Sequence, residues 1–167
     1  MNIHLRKWKK DYSESLVHLA NNKKISDNLR DAFPHPYTLK DAVDWIALNE
    51  KNILTTNFAI EVGGQLAGGC GLSIKEDVYH CSAEIGYWVG EPFWGKGVAT
   101  EAIKQLLKKI QTDFPAVIRI YAEIFEHNKA SMRVLEKNGF HLESIRQKAV
   151  IKNNILMDDH VWVELVG

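Results

Sequence analysis

The chain has 167 residues, of which 46% are hydrophobic and 25% charged, as expected of one globular domain with its own core. Lysine plus arginine and aspartate plus glutamate each number 21, which excludes an overall basic field for holding nucleic acid or an acidic membrane. No apolar run approaches the roughly 18 residues of a membrane-spanning helix and the first residues form no signal peptide, so we expect one cytoplasmic domain over residues 1–167.

A strand and two helices are predicted to open the fold. Residues 3–8 alternate with the period of a strand. Asp11 or Ser13 is predicted to cap a helix that ends near Asn21. The inward residues of this helix are Leu16, Val17, Leu19 and Ala20. A second, shorter helix is predicted over residues 25–30.

A third helix is predicted after a proline-containing segment. Residues 33–37 cannot continue a helix, because Pro34 and Pro36 each restrict the residue before them. Thr38 and Asp41 then form a capping box with aspartate in place of glutamate. The predicted inward residues of the third helix are Ala42, Val43, Trp45, Ile46 and Leu48.

A glycine-rich hairpin is predicted in the middle of the chain. Phe58, Ile60 and Val62 alternate in a strand that ends at the turn Gly63-Gly64. The partner strand runs over residues 65–75. It contains three glycines, which predict a bulge or a close approach by another segment: Gly68, Gly69 and Gly71.

The second half of the chain is predicted to be a strand–helix–strand unit followed by a helix and two strands. The strands are predicted over residues 83–89, 117–125, 140–150 and 155–166, and the helices over 98–110 and 128–138 with Gly139 after the last turn. A helical crossover makes the first two of these strands parallel, whereas hairpin turns make other neighbours antiparallel. The prediction is therefore an α/β mixed sheet with helices on both faces.

A glycine turn joins the strand that ends at Val89 to the helix that begins at Val98. It contains Gly95 and Gly97 on either side of Lys96. The first amides of a helix have no partner within it, and glycines let the backbone approach an oxyanion. The turn indicates a phosphate or pyrophosphate site, unless its glycines only make a tight connection. A nucleoside-triphosphate loop is disfavoured because Gly97 stands where that motif needs serine or threonine.

Two blocks of sequence resemble the GNAT acetyltransferases, most closely their RimJ/RimL branch. The family loop Gln/Arg-x-x-Gly-x-Gly/Ala is matched by Gly97 and Ala99, with Trp94 at its first position. The block from Asn128 to Phe140 resembles the branch pattern Asn-x-x-Ser-x-Arg-Val-Leu-Glu-Lys-x-Gly-Phe. A weaker third match covers residues 33–45. The resemblance implies a single GNAT domain with a mixed, mostly antiparallel sheet and one parallel strand pair splayed around a cofactor.

The resemblance also implies acetyl-CoA as the donor. Its pantetheine would pair with a strand end that also offers N–H groups to the oxyanion, at Tyr87, Trp88 and Val89. Its pyrophosphate would lie on the backbone at Gly95, Lys96, Gly97, Val98, Ala99 and Thr100. Lys96 could equally be a solvated loop lysine. Asn128 would bond the pantetheine or only cap its helix, and Arg133 would reach the 3′-phosphate or form a surface ion pair.

In the family reaction a neutral amine attacks the thioester directly, which requires a base for the amine and an acid for the thiolate. Glu84 is the candidate base, unless it is only a solvent-facing carboxylate of its strand. Glu123 on the neighbouring strand is a weaker candidate. Many family members carry a tyrosine acid where this chain has Leu135. Ser131 is the candidate in its place, unless it is only a helix serine bonded to a carbonyl.

The acceptor implied by the resemblance is a primary amine, either a protein N-terminus or a small molecule such as a polyamine, an amino acid or a drug. Acidic and aromatic groups before the third helix could receive it, namely Asp31, Phe33, His35 and Tyr37. Trp45 could serve the same purpose or simply cover the sheet.

Other functions stay open at this point. The residues that bind the cofactor match the family better than the catalytic ones, so a catalytically silent acyl-CoA-binding module is an alternative. No histidine and cysteine cluster has metal-ligand spacing, so we expect no metal. Cys70 and Cys81 are expected to be reduced, and a homodimer is left open.

Overall fold

A computed structural model describes residues 1–52 and 54–167 of the chain. Over these residues the chain forms five α-helices and seven β-strands. The helices are α1 (Ser13–Ala20), α2 (Lys23–Ser26), α3 (Leu39–Glu50), α4 (Val98–Asp113) and α5 (Lys129–Lys137). The strands are β1 (Ile3–Arg6), β2 (Asn57–Val62), β3 (Gln65–Ile74), β4 (Ser82–Val89), β5 (Arg119–Phe125), β6 (His141–Lys152) and β7 (Ile155–Leu165). None of the described helices is long and apolar enough to cross a membrane.

The strands form one mixed sheet in the order β1-β2-β3-β4-β5-β7-β6. The pairs β1–β2, β2–β3, β5–β7 and β6–β7 are antiparallel, whereas β4 and β5 are parallel. The parallel pairing runs from Ser82↔Arg119 to Glu84↔Tyr121. This architecture confirms the predicted fold class and its single parallel pair. The divergence of the strand ends around a cofactor stays a prediction.

By its internal contacts the chain divides into two compact units. The first comprises Met1–Gly71 and Tyr87–Ala102, and the second comprises Leu72–Gly86 and Ile103–Gly167. The core of the first unit is an aromatic and aliphatic cluster of Trp8, Tyr12, Leu16, Leu19, Ala20, Tyr37, Ala42, Ile46, Ala59 and Leu66. Val43 and Leu48 of α3 were predicted to face inward but are exposed. The buried stripe of α3 is narrower than predicted: among its residues, Ala42 and Ile46 are buried.

Two predicted starts of helices are wrong. No side chain caps α1: its N-cap is Tyr12, because a 3-10 turn at Lys10–Tyr12 leads directly into the helix. The hydroxyl of Ser13 instead donates back to the carbonyl of Lys10 at 2.7 Å. The second helix starts earlier than predicted, because the side chain of Asn22 accepts a hydrogen bond from Lys24 N and caps it.

The local chemistry of the third helix and of the hairpin is as predicted. Thr38 and Asp41 form both bonds of a capping box. Gly63 and Gly64 both have positive φ, as a tight hairpin turn requires. The register of β2 and β3 shifts at a bulge beside Ile60. A Cβ on Gly68 would lie 2.2 Å from the carbonyl oxygen of Trp88, so the predicted close approach is also present.

The second unit buries one face of its strands and leaves the other polar. Along β5 the buried residues Ile120, Ala122 and Ile124 alternate with the half-buried Arg119, Tyr121 and Glu123. Strand β6 lies at the edge of the sheet and is exposed over most of its length. Its register shifts between Arg146 and Val150, around Lys148 with φ of +53°. Bulges and lysines of this kind protect an edge strand from pairing with another chain.

Candidate functional site

The loop between β4 and α4 is shaped by its own hydrogen bonds. We call residues 90–97 the glycine loop. Gly90 N donates to Ala67 O at 2.7 Å, and a 3-10 turn follows at Glu91–Phe93. The indole Nε1 of Trp94 donates to Val89 O at 2.6 Å. Trp94, which departs from the family pattern, therefore ties the loop back to the end of β4.

Two of the three glycines of the loop, Gly95 and Gly97, face open space. Gly95 and Gly97 have φ of +72° and +76°, and a Cβ added to either would meet no atom within 4 Å. Gly97 O accepts the bond from Glu101 N at 3.0 Å, so α4 begins directly after Gly97. The amides of Val98 and Ala99 precede that bond and point out of the helix start. This geometry fits an anion that approaches the backbone closely.

The side chain of Lys96 turns back onto its own loop. Its Nζ donates to Pro92 O at 2.8 Å and lies 6.0 Å from the ring centre of Phe93. These contacts favour the interpretation of Lys96 as a loop lysine and leave the backbone as the main feature of the cradle. Thr100 lies in the first turn of α4 and is half-buried.

The end of β4 is bound into the first unit. Trp88 is half-buried and packs edge-on against Phe33, with ring centres 5.6 Å apart. Val89 is buried, and its carbonyl is the acceptor of the Trp94 indole. Tyr87 is half-buried.

The residues predicted to receive the acceptor lie in different environments. Asp31 and His35 are exposed, and Phe33 is half-buried. Tyr37 is only 6% exposed, and its N–H donates to Asn21 Oδ1 at 3.0 Å. Burial, with a smaller effect of Asp41, raises the pKa of Tyr37 to about 12. Tyr37 thus lies in the core, which favours a packing role over contact with a substrate.

Trp45 also joins this core rather than standing alone. It packs edge-on against Trp8 with ring centres 6.2 Å apart. It therefore covers the cluster that holds α1 and α3 together in the first unit.

The second unit has a groove of about 580 Å³ on the polar face of its strands. We call it the charged groove. It is lined by Lys75, Glu76, Tyr79, Ser82, Arg119, Tyr121, Glu123, Glu143, Ser144, Arg146 and Val161. Glu84 and Asp159 bind lining residues from just outside this set. Together these residues carry five carboxylates against three cations, so the groove has a negative excess.

Glu84 is held by two partners in the charged groove. Its Oε2 lies 3.2 Å from Lys75 Nζ and accepts a hydrogen bond from the hydroxyl of Tyr121 at 3.4 Å. The side chain of Glu84 is 16% exposed, so water can still reach it. Hydrogen bonding to Tyr121, and then to Glu84, raises the pKa of Lys75, which therefore stays an ammonium ion.

Tyr121 contacts Glu84 in the charged groove, although the sequence patterns indicated no role for it. It is aligned with Glu84 in the parallel register of β4 and β5, which places both on the same face. Its ring lies 5.7 Å from Lys75 Nζ and 5.6 Å from the guanidinium of Arg119. The alternation of β5 could have indicated it, but only once the register with β4 was known.

The other carboxylates of the groove bind arginines. Arg119 forms two bonds to Glu143, at 2.5 and 2.8 Å, and this pairing lowers the pKa of Glu143. Arg146 binds Glu123 and lies 3.8 Å from Asp159. A guanidinium therefore holds Glu123, the weaker candidate base.

The block around α5 is local in its contacts. Asn128 accepts a hydrogen bond from Ser131 N at 3.3 Å and so caps the helix. Ser131 is half-buried in the first turn. Arg133 is exposed and bound to Glu136 at 2.9 Å. Leu135 is fully buried, which is consistent with a packing residue at that position.

In the described part of the chain, the potential metal ligands do not form a metal site and the two cysteines are not paired. No group of three or more histidine, cysteine, aspartate or glutamate side chains among residues 1–52 and 54–167 could hold a metal ion. Cys70 and Cys81 are both free thiols. Burial raises the pKa of Cys70 to about 12, so that thiol stays protonated.

The chain is similar to known proteins in sequence. The family described as the acetyltransferase (GNAT) domain matches residues 2–141. The "Probable N-acetyltransferase YjcK" of Bacillus subtilis (strain 168) is 40% identical over 79 residues, which make up 47% of this chain and 42% of YjcK. The chain spans less than half the length of the first curated relatives it matches.

Similarity in structure extends over nearly the whole chain. The microcin C7 self-immunity acetyltransferase MccE, solved with acetyl-CoA and AMP, is 29% identical with a TM-score of 0.80, covering 98% of this chain and 92% of its own. RimL, the ribosomal L7/L12 α-N-protein acetyltransferase, solved with coenzyme A, is 21% identical with a TM-score of 0.83, covering 99% and 95%. At that identity the likeness to RimL shows a shared fold.

Proposed function

This chain belongs to the GNAT acetyltransferase family, and on that premise we propose that it transfers the acetyl group of acetyl-CoA directly to a primary amine. The observation that carries the proposal is the open cradle of Gly95 and Gly97 at the start of α4. Acetyl-CoA would supply the activated thioester. The residues of the chain would bind it, take protons from the acceptor amine and give a proton to the leaving thiolate.

The backbone of the glycine loop fits the pyrophosphate of acetyl-CoA. Amide hydrogen bonds to a charged oxygen contribute about 1.5–3 kcal/mol each. Three such bonds would supply most of the roughly 8 kcal/mol behind a micromolar dissociation constant. Gly97, Val98 and Ala99 are the residues whose amides we assign to this role, with Arg133 and Asn128 as further candidates for the rest of the cofactor.

Glu84 is the proposed base. An alkylamine reaches the protein as a cation, which the negative excess of the charged groove attracts. The carboxylate of Glu84 then takes one proton, directly or through a water molecule, and leaves a neutral amine. The hydrogen bond from Tyr121 fixes the orientation of that carboxylate.

Ser131 is the proposed acid for the thiolate, by resemblance to the RimJ/RimL branch. Its hydroxyl proton would go to the CoA sulfur as the C–S bond breaks, and the second amine proton would return to the serine oxygen, directly or through water. The conformation of its helix start is fixed by Asn128. Ser131→Ala should lower kcat about tenfold or more and leave the affinity for acetyl-CoA nearly unchanged. A wild-type kcat in this variant would remove Ser131 from the mechanism.

The acceptor we propose is the N-terminal amine of a protein. This choice rests on the resemblance of residues 128–140 to the RimJ/RimL pattern. Of the named structural neighbours, RimL is a protein acetyltransferase, whereas MccE is a self-immunity acetyltransferase. A small-molecule amine is therefore the second candidate. The negative excess of the charged groove would attract the cationic form of either amine.

The test is release of the free thiol of CoA from acetyl-CoA in the presence of peptides with varied N-termini, polyamines, amino acids and aminoglycosides. Turnover with peptides alone would support the proposed acceptor. Turnover with small amines alone would replace it. If no acceptor reacts while calorimetry detects acetyl-CoA binding, the chain is better described as an acyl-CoA-binding module.

A further inference from the structure

The carboxylate of Glu91 joins the glycine loop to a distant part of the first unit. Its Oε1 binds Lys24 Nζ at 2.5 Å, and its Oε2 accepts a hydrogen bond from Asn22 Nδ2 at 2.7 Å. Glu91 opens the 3-10 turn of the loop, whereas Asn22 and Lys24 form the start of α2. Lys24, followed by Asn22, lowers the pKa of Glu91, so its carboxylate stays ionised.

The partners of Glu91 belong to a corner that also holds the segment before α3. Asn22 Oδ1 caps α2 by accepting from Lys24 N at 3.0 Å, so its amide group serves the helix and Glu91 at once. The neighbouring Asn21 accepts the N–H of Tyr37 at 3.0 Å through its own Oδ1. Two consecutive asparagines thus connect the glycine loop on one side and residues 31–37 on the other.

The backbone beside Glu91 is also in close contact with this part of the unit. A Cβ on Gly90 would lie 2.6 Å from Leu19 Cδ2, near the end of α1. A shift of the loop would therefore press on α1 and pull on α2 through Glu91. These are the two routes by which a displacement of the loop could reach α1 and α2, one through packing and one through a two-point hydrogen bond.

We propose that Glu91 is a positioning residue, which with Asn22 and Lys24 transmits the binding of acetyl-CoA at the glycine loop to the segment of residues 23–37. This inference rests on the proposed function, because it needs acetyl-CoA at the loop. The bonds of Glu91 to Asn22 and Lys24, which we call the Glu91 link, then prepare the segment that was predicted to receive the acceptor. They are not needed to hold the fold together. Both side chains are well exposed, so the ion pair itself adds little to stability.

Hydrogen–deuterium exchange with acetyl-CoA as the probe tests the link. Residues 23–37 offer suitable amides, since Ile25 N, Asp27 N and Tyr37 N are all hydrogen-bonded. In the wild-type protein, acetyl-CoA should slow exchange in residues 95–101 and also in 23–37. In Glu91→Gln the protection of 95–101 should persist at saturating acetyl-CoA, while that of 23–37 falls at least about threefold.

Asp27→Asn is the matched control. It makes the same change of charge in the i,i+4 pair of Lys23 and Asp27 at 2.7 Å, which joins the first residue of α2 to its C-cap and does not include Glu91. Its protection pattern should equal that of the wild type. Because both pairs are exposed, the unfolding temperature of either variant should stay within about 2 °C of wild type, so loss of folding does not explain a difference.

Three outcomes would overturn the inference, and the last of them is distinguishable from the other two. If Glu91→Gln and wild type show equal protection of 23–37, or if the wild type protects 95–101 alone, the link does not transmit binding. If the wild type protects neither region and calorimetry shows no heat with acetyl-CoA, the proposed function fails and the inference with it.

Discussion

The glycine loop and the charged groove are built from different parts of the polypeptide. In the loop the proposed binding surface is the backbone: two glycines at positive φ leave open space, and the one cationic side chain, Lys96, is bound to the loop itself. In the groove the backbone only sets the alternation of β5, and the proposed chemistry depends on paired side chains such as Glu84 and Tyr121.

Substitutions should therefore act differently in the two regions. A backbone site tolerates changes of side chain and is sensitive to whatever fills the space before its amides. A side-chain site depends on individual functional groups and their partners. Four substitutions examine this contrast.

Glu84→Gln should have the largest effect, because it removes the proposed base and keeps the size of the side chain. We expect kcat to fall about 100-fold or more. Glu143→Gln makes the same change in the same groove, at the carboxylate bound by Arg119, and should stay within about threefold. Equal losses in the two variants would mean that the charge of the groove, rather than Glu84, supports turnover.

Gly97→Val should weaken acetyl-CoA binding about 10- to 100-fold, as expected if one amide bond to the pyrophosphate is lost. The side chain would stand in the open cradle, where its Cβ meets no atom of the protein within 4 Å. Gly64→Val is the control, since Gly64 also has positive φ and open space but lies in the hairpin turn. Calorimetry on both variants separates strain from blocking: an unchanged dissociation constant in a folded Gly97→Val protein would move the pyrophosphate elsewhere.

Tyr121→Phe should lower kcat about tenfold, because the ring stays in place while the hydrogen bond to Glu84 is lost. The affinity for acetyl-CoA should not change. Kinetics at saturating acetyl-CoA would check this, and a kcat equal to that of the wild type would show that Glu84 needs no orientation by the phenol.

Lys96→Ala should have the smallest effect, less than about threefold on the dissociation constant of acetyl-CoA, because an exposed ammonium adds little to binding. Its hydrogen bond to Pro92 O also suggests that it is not aimed at a ligand. A loss as large as that expected for Gly97→Val would show that the lysine, and not the backbone, holds the phosphate.

Local sequence patterns predicted those features whose partners lie within a few residues. The capping box of Thr38 and Asp41, the turn at Gly63-Gly64 and the cap at Asn128 all depend on backbone groups two to four positions away. The glycine cradle at Gly95 and Gly97 was recognisable for the same reason.

Features that depend on register or on tertiary contact were not predictable. Tyr121 meets Glu84 only because β4 and β5 pair with a particular register. Glu91 meets Asn22 and Lys24 across more than 65 positions of sequence. Similarly, the exposure of Val43 and Leu48 depends on how much of α3 the rest of the first unit covers. The helical period of the sequence does not predict the width of that covered face.

The indole of Trp94 has a further consequence for the energetics of the loop. Fixing the backbone of one residue costs about 1–2 kcal/mol of conformational entropy. Because the bonds from Trp94 to Val89 and from Gly90 to Ala67 hold the loop in shape beforehand, a ligand has less of that entropy to overcome on arrival. Tryptophan at this position can therefore raise affinity by restricting the free protein.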